Sequence, residues 1–287
     1  MIINKKYKDS IFTSLFSEPD VLRELYSAIR GVTLPPDTPV TINTLENVLY
    51  MDFNNDISFE IGGKLVVLIE HQSTINPNIA LRLLMYITRI WEKEIKSRKL
   101  YSKKQLKIPF PEFFVLYNGN DPFPDEEIVR LSDMFIDSQD LGLPEKTHPL
   151  LELEVRIINI NEGRNEKKVN RCKKLAEYSF FVWKVREYYK EFGDLEKAIK
   201  EAVKYCGKHD ILKEYLEIHG SEVLNMLLEE WNLEDAKEVW REEAREEGLE
   251  EGRKEGQTQI LQLLKDGLSI EEIQERLALS NNTIENK

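Results

Sequence analysis

The stretch Leu-Val-Val-Leu-Ile-Glu-His-Gln-Ser, residues 65–73, places five aliphatic residues directly before four polar ones. Such a run predicts a central β-strand that is covered on both faces of a sheet. Side chains alternate along a strand, so Glu70 and Gln72 share one face and His71 points to the other. A charge at such a strand end is costly unless a cation or a hydrogen-bond donor meets it. The stretch therefore predicts a buried strand that carries a carboxylate to the rim of a sheet.

The preceding residues predict an antiparallel partner for this strand. Residues 56–61, Asp-Ile-Ser-Phe-Glu-Ile, alternate in polarity, and Gly62-Gly63 follows them. With a two-residue loop, Asp56 and Glu70 would point to opposite faces of the sheet. A three-residue loop or a bulge would return both carboxylates to one face, and glycines permit the positive φ that such a turn needs. The hairpin therefore predicts a three-residue or bulged connection if the two carboxylates act together.

Two carboxylates on one face suggest a site for a hard divalent cation, which prefers oxygen ligands. The alternative is a salt bridge at the strand end, in which Asp56 and Glu70 pair with Lys64 or Arg82. His71, on the opposite face, is either a packed imidazole in the core or at the surface, or a general base.

The remaining pattern predicts an α/β fold, a mixed central sheet flanked by helices and followed by an all-helical region. We predict an α/β domain at residues 1–163, a helical bundle at 164–232, and an acidic long helix with a small hairpin at 233–287. Predicted strands cover residues 41–50, 56–61, 64–72, 112–119 and 152–160, and predicted helices cover 4–30, 78–99, 168–190, 194–205 and 208–230.

Two features mark the C-terminal part. Gly248, Gly252 and Gly256 recur every four residues on nearly one helical face, which indicates either close helix packing or a frayed linker. Residues 264–280 resemble half of a helix-turn-helix, but they lack a basic recognition face. They are therefore better explained as a packing or oligomerisation hairpin.

The net charge of −12 opposes binding to the phosphates of nucleic acids. The charges are unevenly distributed, however, so that one part of the chain is basic. Residues 229–256 carry 12 acidic and 5 basic residues, and residues 89–107 carry 8 basic and 2 acidic ones. The basic block follows the Glu-His-Gln segment directly. It predicts either phosphate contact or an ordinary solvated helix face.

The sequence also predicts the compartment. No stretch is long and apolar enough for a transmembrane helix, and residues 1–10 do not resemble a signal peptide. Cys172 and Cys206 form no metal-binding or disulfide pattern and are predicted to be small core residues. We expect a cytoplasmic protein that does not interact with membranes.

An aspartate, a hairpin, and Glu-x-Gln at the end of an aliphatic strand resemble the PD-(D/E)xK nuclease core, with glutamine in place of the usual lysine. More narrowly, the chain resembles the Rpn-type recombination-promoting nucleases, also called YhgA-like transposases. The segments that carry this resemblance are YKDSIFTSLF (7–16), VLIEHQSTINPNIALRLLMYITRIWEKEI (67–95), PEFFVLYNG (111–119), VRLSDMF (129–135) and GSEVLNMLLEEWNLEDA (220–236).

The resemblance implies Mg²⁺-dependent DNA cleavage associated with mobile elements and recombination. It implies that Asp56 and Glu70 bind Mg²⁺, for which Mn²⁺ or Ca²⁺ can substitute in binding, and that the backbone carbonyl of His71 is a third ligand. Gln72 would orient water or phosphate, although an amide cannot supply the positive charge of the usual lysine. The positions of Arg82 and Tyr86 resemble a helix pair of related exonucleases, in which glutamine takes the place of Arg82, and this predicts contact with the scissile phosphate.

Four further residues complete the predicted site. Arg89 and Lys93 lie, together with Arg82 and Tyr86, on the predicted helix face opposite the apolar residues, and they are candidates for DNA contact. Asp9 and Glu46 are candidates for an auxiliary acid, although Asp9 is as well suited to cap the helix that begins near Ser10, and Glu46 to face solvent.

The functional prediction is a metal-dependent deoxyribonuclease with DNA as its partner. The alternative is a catalytically weak DNA-binding or assembly protein of the same fold. In either case we expect homo-oligomers formed through the C-terminal helices.

Overall fold

A computed structural model of the 287-residue chain describes residues 11–43, 57–95, 100–136, 149–220, 222–225 and 227–228. The chain divides into two compact units, Met1–Glu230 and Trp231–Lys287. All described residues belong to the first unit. The predicted acidic helix, its glycine repeat and the hairpin at 264–280 lie outside the described residues, and the predicted domain boundaries stay predictions.

The first unit is built on a mixed six-stranded sheet. The strands are β1 Val40–Ile42, β2 Ile57–Ile61, β3 Leu65–Gln72, β4 Phe110–Tyr117, β5 Glu126–Arg130 and β6 Glu154–Asn159. Their order in the sheet is β1-β2-β3-β4-β6-β5. Strands β1, β2 and β3 pair in antiparallel fashion, β3, β4 and β6 run parallel, and β5 is antiparallel to β6. The α/β fold class predicted from the sequence is confirmed.

Strand β3 lies in the middle of this sheet, as its aliphatic run predicts. Val66, Val67, Leu68 and Ile69 are all fully buried, so both faces of the strand are covered. One face packs against an amphipathic helix, α3 (Ile79–Glu94), with which it shares a hydrophobic core. Burial of this run on both sides stabilises the sheet and fixes where the following polar residues lie.

Helices cover the sheet on both faces. On the face opposite α3, Phe12 of helix α1 (Ile11–Leu15) stacks on His71 of β3 with ring centroids 4.8 Å apart. Tyr178 of helix α5 (Lys173–Phe192) contacts the same ring. The helices are α1 Ile11–Leu15, α2 Pro19–Arg30, α3 Ile79–Glu94, α4 Glu166–Val169, α5 Lys173–Phe192 and α6 Leu195–Lys208. Residues 213–220 are also helical.

Two elements differ from the sequence-based prediction. Strand β5 was not predicted, and a short 3-10 helix, Leu131–Met134, follows it. The strand predicted at residues 41–50 is described only as β1, and residues 44–56 lie outside the described residues. Within the described part of the chain, no helix is both long enough and apolar enough to cross a bilayer.

Candidate functional site

The candidate site lies at the carboxyl end of β3, where the aliphatic run gives way to polar residues. Glu70 is next to Val115 of β4 in the parallel register, and its side chain points to the face covered by α3. The residue is only 3% exposed. A carboxylate at this depth needs a positively charged or hydrogen-bonding neighbour, as the sequence predicts.

Arg82 of α3 provides that neighbour. Its Nη2 lies 3.3 Å from Glu70 Oε2 and forms a salt bridge with it. The side chain of Arg82 is 22% exposed, whereas that of Glu70 is 4% exposed. The contact confirms the Arg82 part of the salt-bridge alternative and places a guanidinium group between the buried carboxylate and solvent.

Tyr86 lies one helical turn after Arg82, and its hydroxyl accepts a hydrogen bond from Arg82 Nη2 at 3.1 Å. The prediction that Tyr86 belongs to the exposed face of the helix is wrong, because the residue is 2% exposed and its ring is part of the core. The structure therefore joins Arg82 and Tyr86, with the tyrosine as a fixed support. Further along α3, Arg89 is half-buried and Lys93 is exposed.

Gln72 joins the same group of side chains. Its Oε1 accepts a hydrogen bond from the backbone N–H of Asn76 at 3.1 Å, and its Nε2 makes a long contact of 3.5 Å with Glu70 Oε2. The backbone bond fixes which end of the amide points toward Glu70. The structure thus brings four of the predicted site residues together: Glu70, Gln72, Arg82 and Tyr86.

The connection before β3 has the length that a shared site requires. Ile61 pairs with Leu65, so Gly62, Gly63 and Lys64 form a three-residue connection, and Ile57 pairs with Ile69. Both glycines have positive φ, at 59° and 65°. The predicted three-residue or bulged connection is confirmed.

Three predicted acids lie outside the described residues: Asp56, Asp9 and Glu46. Among the described residues, no group of three or more His, Cys, Asp or Glu side chains could hold a metal ion. The described residues supply one carboxylate, that of Glu70, whose oxygens have the donor chemistry that Mg²⁺ prefers. Gln72 directs its amide nitrogen toward Glu70, because its oxygen accepts from the Asn76 N–H. The described residues fit one side of a cation site whose second carboxylate would have to come from another part of the chain.

His71 packs on the opposite face of the sheet, as the alternation predicts. Its Nε2 lies 3.2 Å from the hydroxyl of Tyr178, and its ring stacks on Phe12. Burial, together with the nearby charge of Arg186, lowers the pKa of His71 from 6.5 to about 4. The side chain is therefore a neutral, packed imidazole near pH 7, which favours the packing interpretation over a general base. The predicted role of its backbone carbonyl as a metal ligand stays a prediction.

A second polar cluster, formed by Arg186, Asn118 and Asn161, joins the ends of strands β4 and β6 to helix α5. The guanidinium of Arg186 in α5 donates to Asn118 Oδ1 and Asn161 Oδ1, both at 3.0 Å, and to the backbone carbonyl of Asn118 at 2.5 Å. Asn118 directly follows β4, and Asn161 comes shortly after β6. Sequence reasoning missed this cluster. The one local sequence signal for this cluster was the Asn-Gly pair directly after strand β4.

Gly119 of that pair allows the ends of two strands to approach closely. A Cβ atom at this position would lie 1.9 Å from the carbonyl oxygen of Ser73 and 2.4 Å from the hydroxyl of Tyr117. Only glycine fits, because no rearrangement of a side chain can move the Ser73 backbone. The Tyr-Asn-Gly sequence thus holds the segment after β3 against the end of β4, next to Gln72.

Comparison with known protein families finds one that matches the chain. A family model described as "Putative transposase, YhgA-like" matches residues 47–207, more than half of the chain. The chain belongs to this family. No curated protein and no solved structure matches the chain. The match to the YhgA-like family spans the hairpin, the Glu-His-Gln segment, α3, the Tyr-Asn-Gly sequence and α5, and so includes every described residue of the candidate site. The family's description associates the chain with mobile elements.

Proposed function

We propose that this protein is a Mg²⁺-dependent DNA endonuclease of the PD-(D/E)xK type that acts in recombination or the movement of mobile elements. The observation that supports the proposal best is the register of the β2–β3 hairpin. Ile57 pairs with Ile69, so one further step of the same register would set residue 56 directly opposite Glu70. Directly opposite residues of an antiparallel pair share a face.

In this proposal, Asp56 and Glu70 bind the Mg²⁺ ion, and the carbonyl of His71 is a third ligand. Mn²⁺ or Ca²⁺ would substitute in binding. When bound, such an ion lowers the pKa of a water molecule and offsets negative charge on a phosphate. Asp9 or Glu46, the candidates for an auxiliary acid, would add one further carboxylate to the site.

The other residues of the site would position the substrate. The amide of Gln72 is held by the Asn76 N–H and can direct its Nε2 toward a bound water or phosphate oxygen. The guanidinium of Arg82, supported by Tyr86, suits the geometry of a phosphate group. Arg89 and Lys93 would extend the contact along the DNA backbone.

Nicking of supercoiled plasmid DNA in Mg²⁺ tests the proposal. Asp56→Asn and Glu70→Gln are each expected to abolish nicking, because each removes one negative charge from the proposed cation site. Glu154→Gln is the matched control, because Glu154 is an exposed carboxylate at the other end of the parallel strands. Nicking by both site variants at the wild-type rate would overturn the proposal.

A second candidate function is a catalytically weak DNA-binding or assembly protein. The Arg82–Glu70 salt bridge favours it, because a carboxylate that serves only to balance an arginine needs no metal ion. The replacement of lysine by Gln72 favours it as well. Calorimetric titration of Mg²⁺ into wild-type protein and Asp56→Asn distinguishes the two, since a purely structural site would bind no ion in either protein.

Assembly is a separate part of the proposal. We expect homo-oligomers formed through residues 233–287, whose glycine spacing suits close helix packing. Sedimentation of the full chain beside a version truncated after residue 232 would test this. The truncated version is expected to be monomeric if the segment drives assembly.

A further inference from the structure

We infer that Arg82 couples metal binding to DNA binding at this site, so that each ligand strengthens the binding of the other. The inference rests on the proposed function and adds a form of regulation to it. Its basis is that Arg82 and a divalent cation require the same carboxylate. Glu70 Oε2 is within 3.3 Å of Arg82 Nη2 and within 3.5 Å of Gln72 Nε2.

The two positive charges compete because the carboxylate is buried. Glu70 is 3% exposed, and solvent screens charges poorly at that depth. A divalent cation on Glu70 would lie close to the guanidinium of Arg82, and the two would repel each other. The salt bridge therefore weakens metal binding as long as Arg82 keeps its contact with Glu70.

Arg82 has a second point of attachment that does not depend on Glu70. Its Nη2 also donates to the hydroxyl of Tyr86 at 3.1 Å, and the ring of Tyr86 is held in the core. The arginine side chain is 22% exposed, so part of it already faces solvent. The guanidinium can turn outward from Glu70 while its stem stays against the helix.

A DNA phosphate would give the displaced guanidinium a new partner. Arginine binds phosphate through paired hydrogen bonds, which compensate for the loss of the Glu70 contact. With Arg82 on a phosphate, its positive charge no longer repels a cation at Glu70. Because coupling between two ligands is reciprocal, bound metal also favours binding of DNA.

The experiment measures Ca²⁺ affinity by calorimetry, with and without a short DNA duplex, for wild-type protein, Arg82→Met and Glu70→Gln. For wild type we expect the duplex to strengthen Ca²⁺ binding roughly tenfold, a typical size for coupling between two sites. Arg82→Met is expected to bind Ca²⁺ more tightly than wild type without DNA, and to gain little further affinity when the duplex is added.

Arg130→Met is the matched control. It also removes an arginine from an arginine–carboxylate pair, since Arg130 Nε lies 3.0 Å from Glu154 Oε1, but this pair is exposed and lies at the opposite end of β6. We expect it to keep the wild-type Ca²⁺ affinity and coupling. If Arg82→Met does not fold, Arg82→Gln supplies a second neutral variant.

The outcomes separate this inference from the proposed function. Ca²⁺ binding that requires Glu70 but is unchanged in Arg82→Met, or coupling that persists in that variant, would overturn the inference and leave the metal site standing. Absence of Glu70-dependent Ca²⁺ binding in every protein, with and without DNA, would overturn the proposed function and the inference together.

Discussion

Arg82 of α3 and Glu70 of β3 form a salt bridge of 3.3 Å at the carboxyl end of the central strand, where Glu70 is almost completely buried. The arginine comes from the first turns of the helix that follows the strand, so the connection between β3 and α3 sets the distance between them. The same arginine contacts Tyr86 in the core. The hydrophobic core of the sheet therefore helps to hold the candidate site in place, because Tyr86 belongs to both.

The first prediction concerns the energy of this pair. In a double-mutant cycle with Glu70→Gln and Arg82→Met, the effects on unfolding free energy are expected to be non-additive by roughly 1–3 kcal/mol, as for contacting charged groups. Urea denaturation of wild type, both single variants and the double variant measures it. Additive effects would show that the contact contributes nothing to stability.

The second prediction concerns pH. The pKa of His71 is about 4 in the folded protein, below its usual value of 6.5, so the unfolded chain binds the proton more readily between these values. Stability should therefore be intact above about pH 6.5 and decrease as the pH falls toward 4. At about 1.4 kcal/mol for each pKa unit, the total loss is roughly 3 kcal/mol.

Denaturation of wild type and His71→Gln at pH 7 and pH 5 tests this. The stability difference between the two proteins should shrink at the lower pH, because the variant has no imidazole to protonate. His209→Gln, at the exposed end of α6, is the control and should retain the wild-type pH dependence because it leaves His71 in place. An equal pH dependence in wild type and His71→Gln would contradict the prediction.

The third prediction concerns Gly119. Gly119→Ala should destabilise the protein by about 3 kcal/mol, at the upper end of the usual cost of overpacking, because the new Cβ would meet the backbone of Ser73. Gly207→Ala is the control, since a Cβ there meets nothing within 4 Å. In helix α6 it should be neutral or stabilising by up to about 1 kcal/mol. If thermal unfolding showed Gly119→Ala to be as stable as the control Gly207→Ala, the ends of β3 and β4 would be able to separate at little cost.

The fourth prediction concerns the turn that sets the hairpin register. Gly62 has a φ of 59° and open space around its Cβ position, so Gly62→Ala suffers only from backbone strain. We expect a loss of about 1 kcal/mol, and a smaller loss for Gly62→Asn, because asparagine tolerates this conformation better. Thermal unfolding of the two variants measures the free-energy cost of backbone strain at residue 62, because neither side chain meets a neighbour at its Cβ. Equal stability of both with wild type would indicate that the turn does not require glycine.

The elements around β3 could be predicted from the sequence because their signals are local. The aliphatic run of β3, the two glycines at the turn and the apolar spacing of α3 each lie within a short stretch. Strand β5 was missed because its residues, Glu-Glu-Ile-Val-Arg, are mostly exposed at the sheet edge and show no alternation in burial. Its pairing with β6 is a tertiary contact that no local pattern reveals.

The residues of the site likewise divide into those with a local sequence signal and those that only tertiary contacts bring together. Glu70, Gln72 and Arg82 follow from strand alternation and from the start of the next helix. Tyr86 was misplaced because it is polar at its tip and apolar in its ring, so its position on the helix did not decide its burial. The cluster of Arg186, Asn118 and Asn161 joins residues that are distant in sequence. Only the folded sheet brings them together.

Asp56 and Glu70 are proposed to bind one divalent cation at the edge of the sheet, and anomalous diffraction from crystals soaked in Mn²⁺ would locate that ion. We expect one anomalous peak about 2.1 Å from a carboxylate oxygen of each residue, a distance typical of such small divalent ions. A peak elsewhere, or Glu70 still paired with Arg82 and no ion beside it at saturating Mn²⁺, would show that these two carboxylates do not form a metal site.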